Sequence, residues 1–251
     1  MPSRIPGVDY VLNPYLGCAF GCKFCYAHYM GRRVGRGAED WGRFAFAKEG
    51  FESALVRQLR RPQRYYGKYV LIGSATDPYQ PLEAKLKLTR RILEIFLKMA
   101  PRVRLGVLTR SPLVLRDTDL LLRLRAEVGV SISVMREEYF REVEPLSPPP
   151  DVRIHILRKL REEGVNAYAF LAPVFPDAYR DLCTVVRSLK EKNVPVRYVE
   201  LLAPFKNPNL RRLSHFRRWV SSIKSEPLYA EFSGCVLSEF PSAHVIGHGW
   251  R

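Results

Sequence analysis

Three of the five cysteines in this 251-residue chain fall within eight residues, as Cys18, Cys22 and Cys25. Thiolates are soft ligands that suit zinc, copper(I) or iron–sulfur clusters, so these residues alone do not identify the metal. His28 could complete a Cys3His site in which one zinc ion is closed off and structural. Alternatively, each thiolate could hold one iron of a cubane cluster and leave a fourth iron without a protein ligand. Gly17, Gly21 and the small Ala19 favour the cluster, because such residues let the backbone approach something bulky.

The elements that must position this loop alternate short apolar runs with amphipathic stretches. Six runs that are apolar on both faces predict buried parallel strands at residues 8–12, 69–72, 103–108, 128–134, 167–171 and 194–202. Six amphipathic stretches predict helices at residues 51–60, 88–99, 112–124, 151–163, 177–192 and 207–223. This alternation predicts one parallel α/β unit over residues 1–224, with residues 225–251 as a C-terminal extension packed on it. Active sites of such folds lie at the C-terminal ends of the strands, where the cysteine loop of residues 18–25 follows the first strand.

The charge of the chain restricts its partners. Lys and Arg number 41 against 25 Asp and Glu, which gives a net charge of +16. Such a surplus attracts polyanions and favours nucleic acid or acidic partners, although a solvated basic surface is the alternative. The last predicted helix interleaves basic and aromatic residues in a pattern typical of phosphate contact with base stacking. Its members are Arg211, Arg212, Phe216, Arg217, Arg218 and Trp219.

The remaining cysteines, Cys183 and Cys235, are isolated in the sequence. An odd cysteine count without a secretory signal argues against a disulfide framework. Cys183 is predicted to be a small core residue, and Cys235 to be either structural or close to the substrate. No apolar run is long enough to span a bilayer, so we expect a cytoplasmic protein without membrane partners. Glu144 and Arg153 are predicted to pair and to anchor the loop after the fourth strand.

The cysteine loop resembles a known family. Cys-x-x-x-Cys-x-x-Cys followed by an aromatic residue, here Tyr26, is similar to the cluster loop of the radical S-adenosylmethionine (SAM) superfamily. The longer string from Asn13 to Ala27 resembles the branch that contains spore photoproduct lyase and proteins called DNA repair photolyase-like. Segments at residues 76–83, 88–90, 108–111, 116–117 and 144–149 agree with that branch, so the resemblance covers residues 10–176.

The resemblance implies a partial (β/α)6 barrel with a 4Fe–4S cluster held by Cys18, Cys22 and Cys25. SAM would chelate the open iron and be cleaved by one electron to methionine and a 5′-deoxyadenosyl radical that abstracts hydrogen from the substrate. The electron would come from an external donor such as ferredoxin or flavodoxin. The zinc site stays an alternative to the cluster, and the donor set and the fold decide between the two.

The resemblance also implies six SAM-binding residues. Tyr26 would pack by the adenine, and Ser74, Thr76 and Asp77 lie where the family contacts the methionine end. Thr76 is the expected hydrogen-bonding residue of those three. Arg110 would clamp the carboxylate with two parallel hydrogen bonds, and Ser133 would bond the ribose.

Two catalytic candidates follow from a departure from the family pattern. Spore photoproduct lyase uses an extra cysteine as a hydrogen-atom donor where this chain has Ser74, and an alcohol is a poor donor of a hydrogen atom. Cys235 and Tyr79 could substitute for that cysteine on chemical grounds. The sequence thus predicts a monomeric radical SAM enzyme acting on DNA or RNA. A radical SAM enzyme for a small metabolite or peptide, and a zinc-binding nucleic-acid module, are the alternatives.

Overall fold

A sheet of seven parallel strands forms the centre of the protein. The computed structural model describes residues 1–202, 207–223 and 227–246. The strands in chain order are β1 (Tyr10–Leu12), β2 (Tyr15–Gly17), β3 (Ala45–Ala47), β4 (Tyr69–Ile72), β5 (Arg104–Thr109), β6 (Glu127–Val134), β7 (Asn166–Val174), β8 (Val196–Leu201) and β9 (His244–Ile246). The sheet runs β1-β4-β5-β6-β7-β8-β9, while β2 and β3 form a separate antiparallel pair. The large sheet curls into a half-barrel, so the expected α/β partial barrel is confirmed.

Helices link the parallel strands and cover the sheet, as buried parallel strands require. They are α1 (Phe51–Leu59), α2 (Pro81–Leu86), α3 (Leu88–Met99), α4 (Thr118–Arg123), α5 (Phe140–Val143), α6 (Pro150–Glu162), α7 (Tyr179–Glu191), α8 (Phe216–Ile223) and α9 (Pro227–Glu239). The apolar stripe of α3, with Ile92, Leu93 and Phe96, packs into the same core as the strands. Short 3-10 helices at Tyr26–Val34, Ala38–Asp40, Pro62–Tyr65, Pro112–Asp117, Glu137–Tyr139 and Leu210–Arg212 complete the connections. No described helix is both long and apolar enough to cross a membrane.

The six predicted strands are all present, and the C-terminal segment adds a seventh. β9 pairs in parallel with β8, with His244 opposite Tyr198, so the segment extends the sheet. Positions 224–226 and 247–251 of the predicted boundary and extension lie outside the described residues. The predicted last helix is interrupted: its first part is the 3-10 helix Leu210–Arg212, and α8 begins only at Phe216.

The two isolated cysteines are joined, contrary to the sequence prediction. Cys183 on α7 and Cys235 on α9 form a disulfide, with their Cα atoms 5.7 Å apart. The helices that carry them pack against each other, which brings together residues 52 positions apart in the chain. A bonded sulfur has no hydrogen to donate, so the proposal of Cys235 as a hydrogen-atom donor is wrong for this structure.

Candidate cluster and cofactor site

The cysteine loop lies at the carboxyl edge of the sheet, just after β1 and β2. Cys18 and Cys22 are buried, and Cys25 is partly buried. The side chain of Gln80 holds the loop on both sides of Cys18: its Oε1 accepts from the Ala19 N–H at 2.9 Å, and its Nε2 donates to the Gly17 carbonyl at 3.2 Å. Gln80 is fully buried, so these hydrogen bonds are shielded from water. The sequence analysis missed this residue, although it lies in the 76–83 segment.

The glycines of the loop have a packing reason. Gly21 has φ +65°, and a Cβ on Gly42 would come within 2.7 Å of the Gly21 Cα. The close neighbour of Gly21 is thus the backbone of the chain itself. Gly17, at φ +82°, lies in the same way against Phe44. These contacts hold the loop against the residues that lead into β3.

The three thiols have the donor chemistry that a cluster requires. Burial raises the pKa of Cys18, Cys22 and Cys25, so a bound metal must displace their protons. Arg110 Nη1 donates to Cys22 Sγ at 3.1 Å and supplies a positive charge beside the sulfur. Three soft ligands with an adjacent cation fit an iron–sulfur cluster. Within the described ranges, no three side chains of His, Cys, Asp and Glu converge closely enough to hold a single metal ion.

His28, the fourth ligand of the zinc alternative, uses one ring nitrogen on the backbone. Its Nδ1 lies 2.9 Å from the Cys25 carbonyl oxygen. The same carbonyl accepts a hydrogen bond from Asn207 Nδ2 at 3.0 Å, which links the cysteine loop to the segment after β8. His28 and Asn207 therefore both fix the end of the loop at Cys25.

A buried charge network centred on Glu144 supports the loop from the β6 side. Glu144 accepts hydrogen bonds from Arg110 and Arg153, and its Oε1 also accepts from Ser133 Oγ at 2.7 Å. Glu144 and Arg153 are both fully buried, so the predicted pair is confirmed. Burial alone would raise the pKa of Glu144, but the charges of Arg153 and Arg110 and the hydrogen bonds outweigh it and lower that pKa. The carboxylate is thus held ionised between two guanidinium groups.

This network includes two of the SAM-binding candidates, Ser133 and Arg110. Ser133 is buried, and its hydroxyl donates to Glu144 instead of lying open for a ribose. Arg110 lies at the cysteine loop, where its Nη1 donates to Glu144 and Cys22. The Arg110 Cζ lies 5.7 Å from the centroid of the Phe24 ring. Its position beside the cysteines remains compatible with the predicted carboxylate contact, which stays a prediction.

Asp77 fixes the ends of two neighbouring strands. Its Oδ1 accepts from Thr109 Oγ1 at 2.6 Å and from the Tyr79 N–H at 2.9 Å, while its Oδ2 accepts from the Arg110 N–H at 2.9 Å. The carboxylate therefore joins the loop after β4 to the end of β5. Because it sets the backbone of Arg110, Asp77 acts here as a positioning residue for that side chain.

Tyr26, Ser74 and Thr76 are brought together around Asn13, a motif residue for which the sequence predicts no role of its own. Asn13 Nδ2 donates to Ser74 Oγ at 2.9 Å, and its Oδ1 accepts from the Thr76 N–H at 3.3 Å. The Tyr26 hydroxyl donates to the Ser74 carbonyl at 2.7 Å while the ring stays exposed. The Thr76 hydroxyl points inward to the Tyr15 carbonyl at 3.4 Å. Tyr26 and Ser74 thus form a rim of the site, whereas the Thr76 side chain lies beneath it.

Tyr79 is not at the site. Its side chain is fully buried, with the Arg116 guanidinium 5.9 Å from the ring centroid. Burial and the charges of Asp117 and Glu83 raise its pKa well above the usual value. The prediction of Tyr79 as a hydrogen-atom donor to substrate is contradicted, because no substrate reaches a side chain in the core.

The last helix also differs from its predicted role. Trp219 is fully buried and packs edge-on against Phe175, with ring centroids 4.9 Å apart. Arg218 pairs with Glu138 and Asp177, each at 3.1 Å. The aromatic residues of α8 therefore face the core, as an amphipathic helix packed on a sheet requires, and Trp219 cannot stack on a base.

Comparison with known proteins identifies the relatives of this site. The family model described as the Radical SAM superfamily matches residues 12–198. An uncharacterized protein of Methanocaldococcus jannaschii is 38% identical over 177 residues, which are 70% of this chain and 64% of that protein. An uncharacterized protein of Acidianus two-tailed virus is 31% identical over 207 residues, 77% of this chain and 67% of its own length. Among solved structures, spore photoproduct lyase complexed with dinucleoside spore photoproduct has a TM-score of 0.67 at 14% sequence identity. The match covers 99% of this chain and 79% of the lyase chain, which demonstrates a shared fold.

Proposed function

This chain belongs to the radical SAM superfamily, and we propose that it is an enzyme that uses a 4Fe–4S cluster and SAM to abstract hydrogen from a nucleic acid. Cys18, Cys22 and Cys25 are the proposed cluster ligands. The observation that carries the assignment is the loop of three cysteine thiols, two of them buried, beside the Arg110 guanidinium at the carboxyl edge of the half-barrel. When bound, the cluster supplies the electron that cleaves SAM to methionine and a 5′-deoxyadenosyl radical.

The residues of the chain prepare the site for that chemistry. Gln80 and Gly17 fix the backbone around Cys18, so the first ligand is preorganised. Glu144 keeps Arg110 beside Cys22, where its positive charge offsets the negative charge of thiolate ligands. We propose that Arg110 also holds the SAM carboxylate, and that Tyr26 and Ser74 form the rim near the adenine. Burial of Cys18 and Cys22 excludes water from the ligands.

The proposed substrate class rests on charge and on one structural neighbour. A net charge of +16 favours a polyanionic partner, and the neighbouring lyase structure contains a dinucleoside photoproduct. The proposal covers hydrogen abstraction and not the lyase reaction, since Ser74 stands where that enzyme has its extra cysteine, Cys235 is bonded and Tyr79 is buried. Radical SAM enzymes need an electron donor, and we propose a cytoplasmic ferredoxin or flavodoxin.

Isotope transfer from the substrate tests this proposal. Reconstituted protein, dithionite and SAM are incubated with perdeuterated DNA or RNA, and 5′-deoxyadenosine is analysed by mass spectrometry. We expect deuterium in the product from one of the two nucleic acids. Steady formation of 5′-deoxyadenosine without deuterium from either would contradict the nucleic-acid substrate and favour a small metabolite or peptide.

A further inference from the structure

The segment of residues 26–48, which follows the cysteine loop, carries exposed arginines next to exposed aromatic rings. Tyr29 is 50% exposed and Phe46 is 47% exposed, so both rings are accessible to a partner. Four exposed arginines accompany them. We call this set the arginine–aromatic patch: Tyr29, Arg32, Arg33, Arg36, Arg43 and Phe46.

The two segments that carry the patch lie next to each other. The Arg36 N–H donates to the Gly31 carbonyl at 3.0 Å, so the chain turns back on the 3-10 helix Tyr26–Val34. A Cβ on Gly31 would lie 3.3 Å from the Phe44 ring, and Phe46 stacks on Phe44 with centroids 6.1 Å apart and planes 26° apart. Gly31 therefore lets the 3-10 helix and the residues of β3 lie side by side.

The four arginines keep their charge exposed, as far as the described residues show. None of them makes an ion pair with a carboxylate in the part of the chain that the structure describes. The two acids of the segment are occupied locally, because Asp40 accepts from the Gly37 N–H at 3.2 Å and Glu39 packs over Gly37. Burial, with the nearby charge of Arg33, lowers the pKa of Lys48, which agrees with an excess of positive charge here. By contrast, α8 is partly neutralised, since Arg218 pairs with two acids.

The patch begins at the rim of the candidate site. The 3-10 helix starts at Tyr26, directly after Cys25, and the Tyr26 and Tyr29 rings lie 6.4 Å apart. Tyr26 in turn bonds the Ser74 carbonyl at the end of β4. A chain bound along the patch would therefore arrive at the cysteine loop.

We propose that the arginine–aromatic patch binds a single-stranded segment of nucleic acid and leads it to the cysteine-loop site. The arginines contact phosphates, for which the guanidinium fork is suited, and Tyr29 and Phe46 stack on unpaired bases. Bases in a duplex already stack on each other, so exposed rings favour a single strand. This inference rests on the proposed nucleic-acid substrate and assigns its binding surface to a segment that the sequence analysis left without a role.

Two variants that each lose four positive charges show whether binding depends on this surface or on the net charge of the protein. The patch variant combines Arg32→Gln, Arg33→Gln, Arg36→Gln and Arg43→Gln. The control combines Arg57→Gln, Arg60→Gln, Arg61→Gln and Arg64→Gln, at exposed arginines that precede β4 on the opposite edge of the sheet. Both lower the net charge from +16 by four. The probes are fluorescein-labelled, mixed-sequence oligonucleotides of DNA and of RNA, each single-stranded or annealed to its complement. Binding to the reconstituted enzyme is followed by anisotropy over a salt series.

We expect the patch variant to flatten the slope of log K against log salt by about 3, since four single-strand phosphate contacts contribute about 0.7 each. The control should keep the slope of the wild type. Phe46→Leu and Tyr29→Leu retain apolar bulk but remove the stacking face, and each should weaken single-strand binding roughly 5- to 150-fold without changing the slope. A thermal midpoint close to that of the wild type checks that each variant is folded.

The outcomes distinguish this inference from the proposed function. Equal losses in the patch variant and the control would overturn the patch, as would duplex binding that is tighter than single-strand binding and insensitive to Tyr29→Leu and Phe46→Leu. Binding that no patch variant changes would also overturn the patch but leave the nucleic-acid substrate standing. A wild-type enzyme that binds none of the DNA and RNA oligonucleotides at low salt would overturn both.

Discussion

Replacing Glu144 with glutamine should destabilise the protein strongly. Among the described residues, Glu144 is the only acidic side chain that forms an ion pair with Arg153, and the change removes its charge. Arg153 is fully buried, and the Arg110 side chain is 15% exposed. Breaking a buried ion pair by removing one partner costs about 3–5 kcal/mol, since the remaining charge is left uncompensated. For a chain of this length, about 2 °C of melting temperature is lost per kcal/mol. We therefore expect Glu144→Gln to lower the melting temperature by about 6–10 °C.

The control for this prediction is Glu162→Gln, which makes the same chemical change on the surface. Glu162 pairs with Lys159 and Arg158 at a side-chain exposure of 46%, and exposed pairs contribute at most about 1 kcal/mol. Thermal unfolding of the metal-free proteins, followed by circular dichroism, avoids the stabilisation that a bound metal adds. If Glu144→Gln melts within about 2 °C of Glu162→Gln, the claim that Glu144 compensates the buried charge of Arg153 would be refuted.

The difference in melting temperature between the wild type and Glu144→Gln should depend on pH with a defined sign. The pKa of Glu144 is lowered in the folded state, so its contribution to stability is present above the ordinary glutamate value of 4.5 and is lost as the pH falls through the folded value. The gap in melting temperature between wild type and Glu144→Gln should therefore be largest near neutral pH and shrink below about pH 4.5. A gap that widens on acidification would contradict the ionised state of Glu144.

Three further changes test other parts of the site. Arg110→Ala should keep the cluster but weaken SAM binding about 30- to 150-fold in equilibrium dialysis, with Arg110→Lys milder, because a charged contact is lost; unchanged affinity would contradict the assigned contact. Gln80→Leu should lower iron incorporation at reconstitution, since the backbone groups on both sides of Cys18 lose their partner; full iron content would show that the loop needs no such support. Trp219→Ala should cost about 3–5 kcal/mol of stability in urea unfolding as a core deletion while leaving oligonucleotide affinity unchanged, and the reverse pattern would return the base-stacking role to α8.

The sequence predicted the large sheet because its strands are apolar on both faces. β6 is buried at seven of its eight positions, and its apolar residues recur at alternate positions (Val128, Val130, Ile132 and Val134), which is the period of a strand. β9 has three residues and β2 and β3 have three each, too few for any period to appear. The Glu144–Arg153 pair was also predictable, since the charges flank the loop that they anchor.

The missed features depend on contacts between distant parts of the chain. The pattern of arginines around Trp219 is the same for a nucleic-acid face and for an amphipathic helix, and only the packing of Trp219 on Phe175 separates them. The Cys183–Cys235 pairing spans 52 positions, and Gln80 reaches back 63 positions to Gly17. The arginine–aromatic patch was overlooked for the opposite reason, since its residues are close in sequence but gain a shared surface only through the Gly31–Phe44 contact.

Iron content together with SAM cleavage tests the central claim most directly. Protein reconstituted anaerobically should be brown, contain about four irons per chain and produce 5′-deoxyadenosine and methionine from SAM when dithionite is added. Cys22→Ala should lose both the iron and the cleavage, because Cys22 is a proposed ligand. A colourless protein that retains one zinc ion per chain and leaves SAM intact would contradict the account.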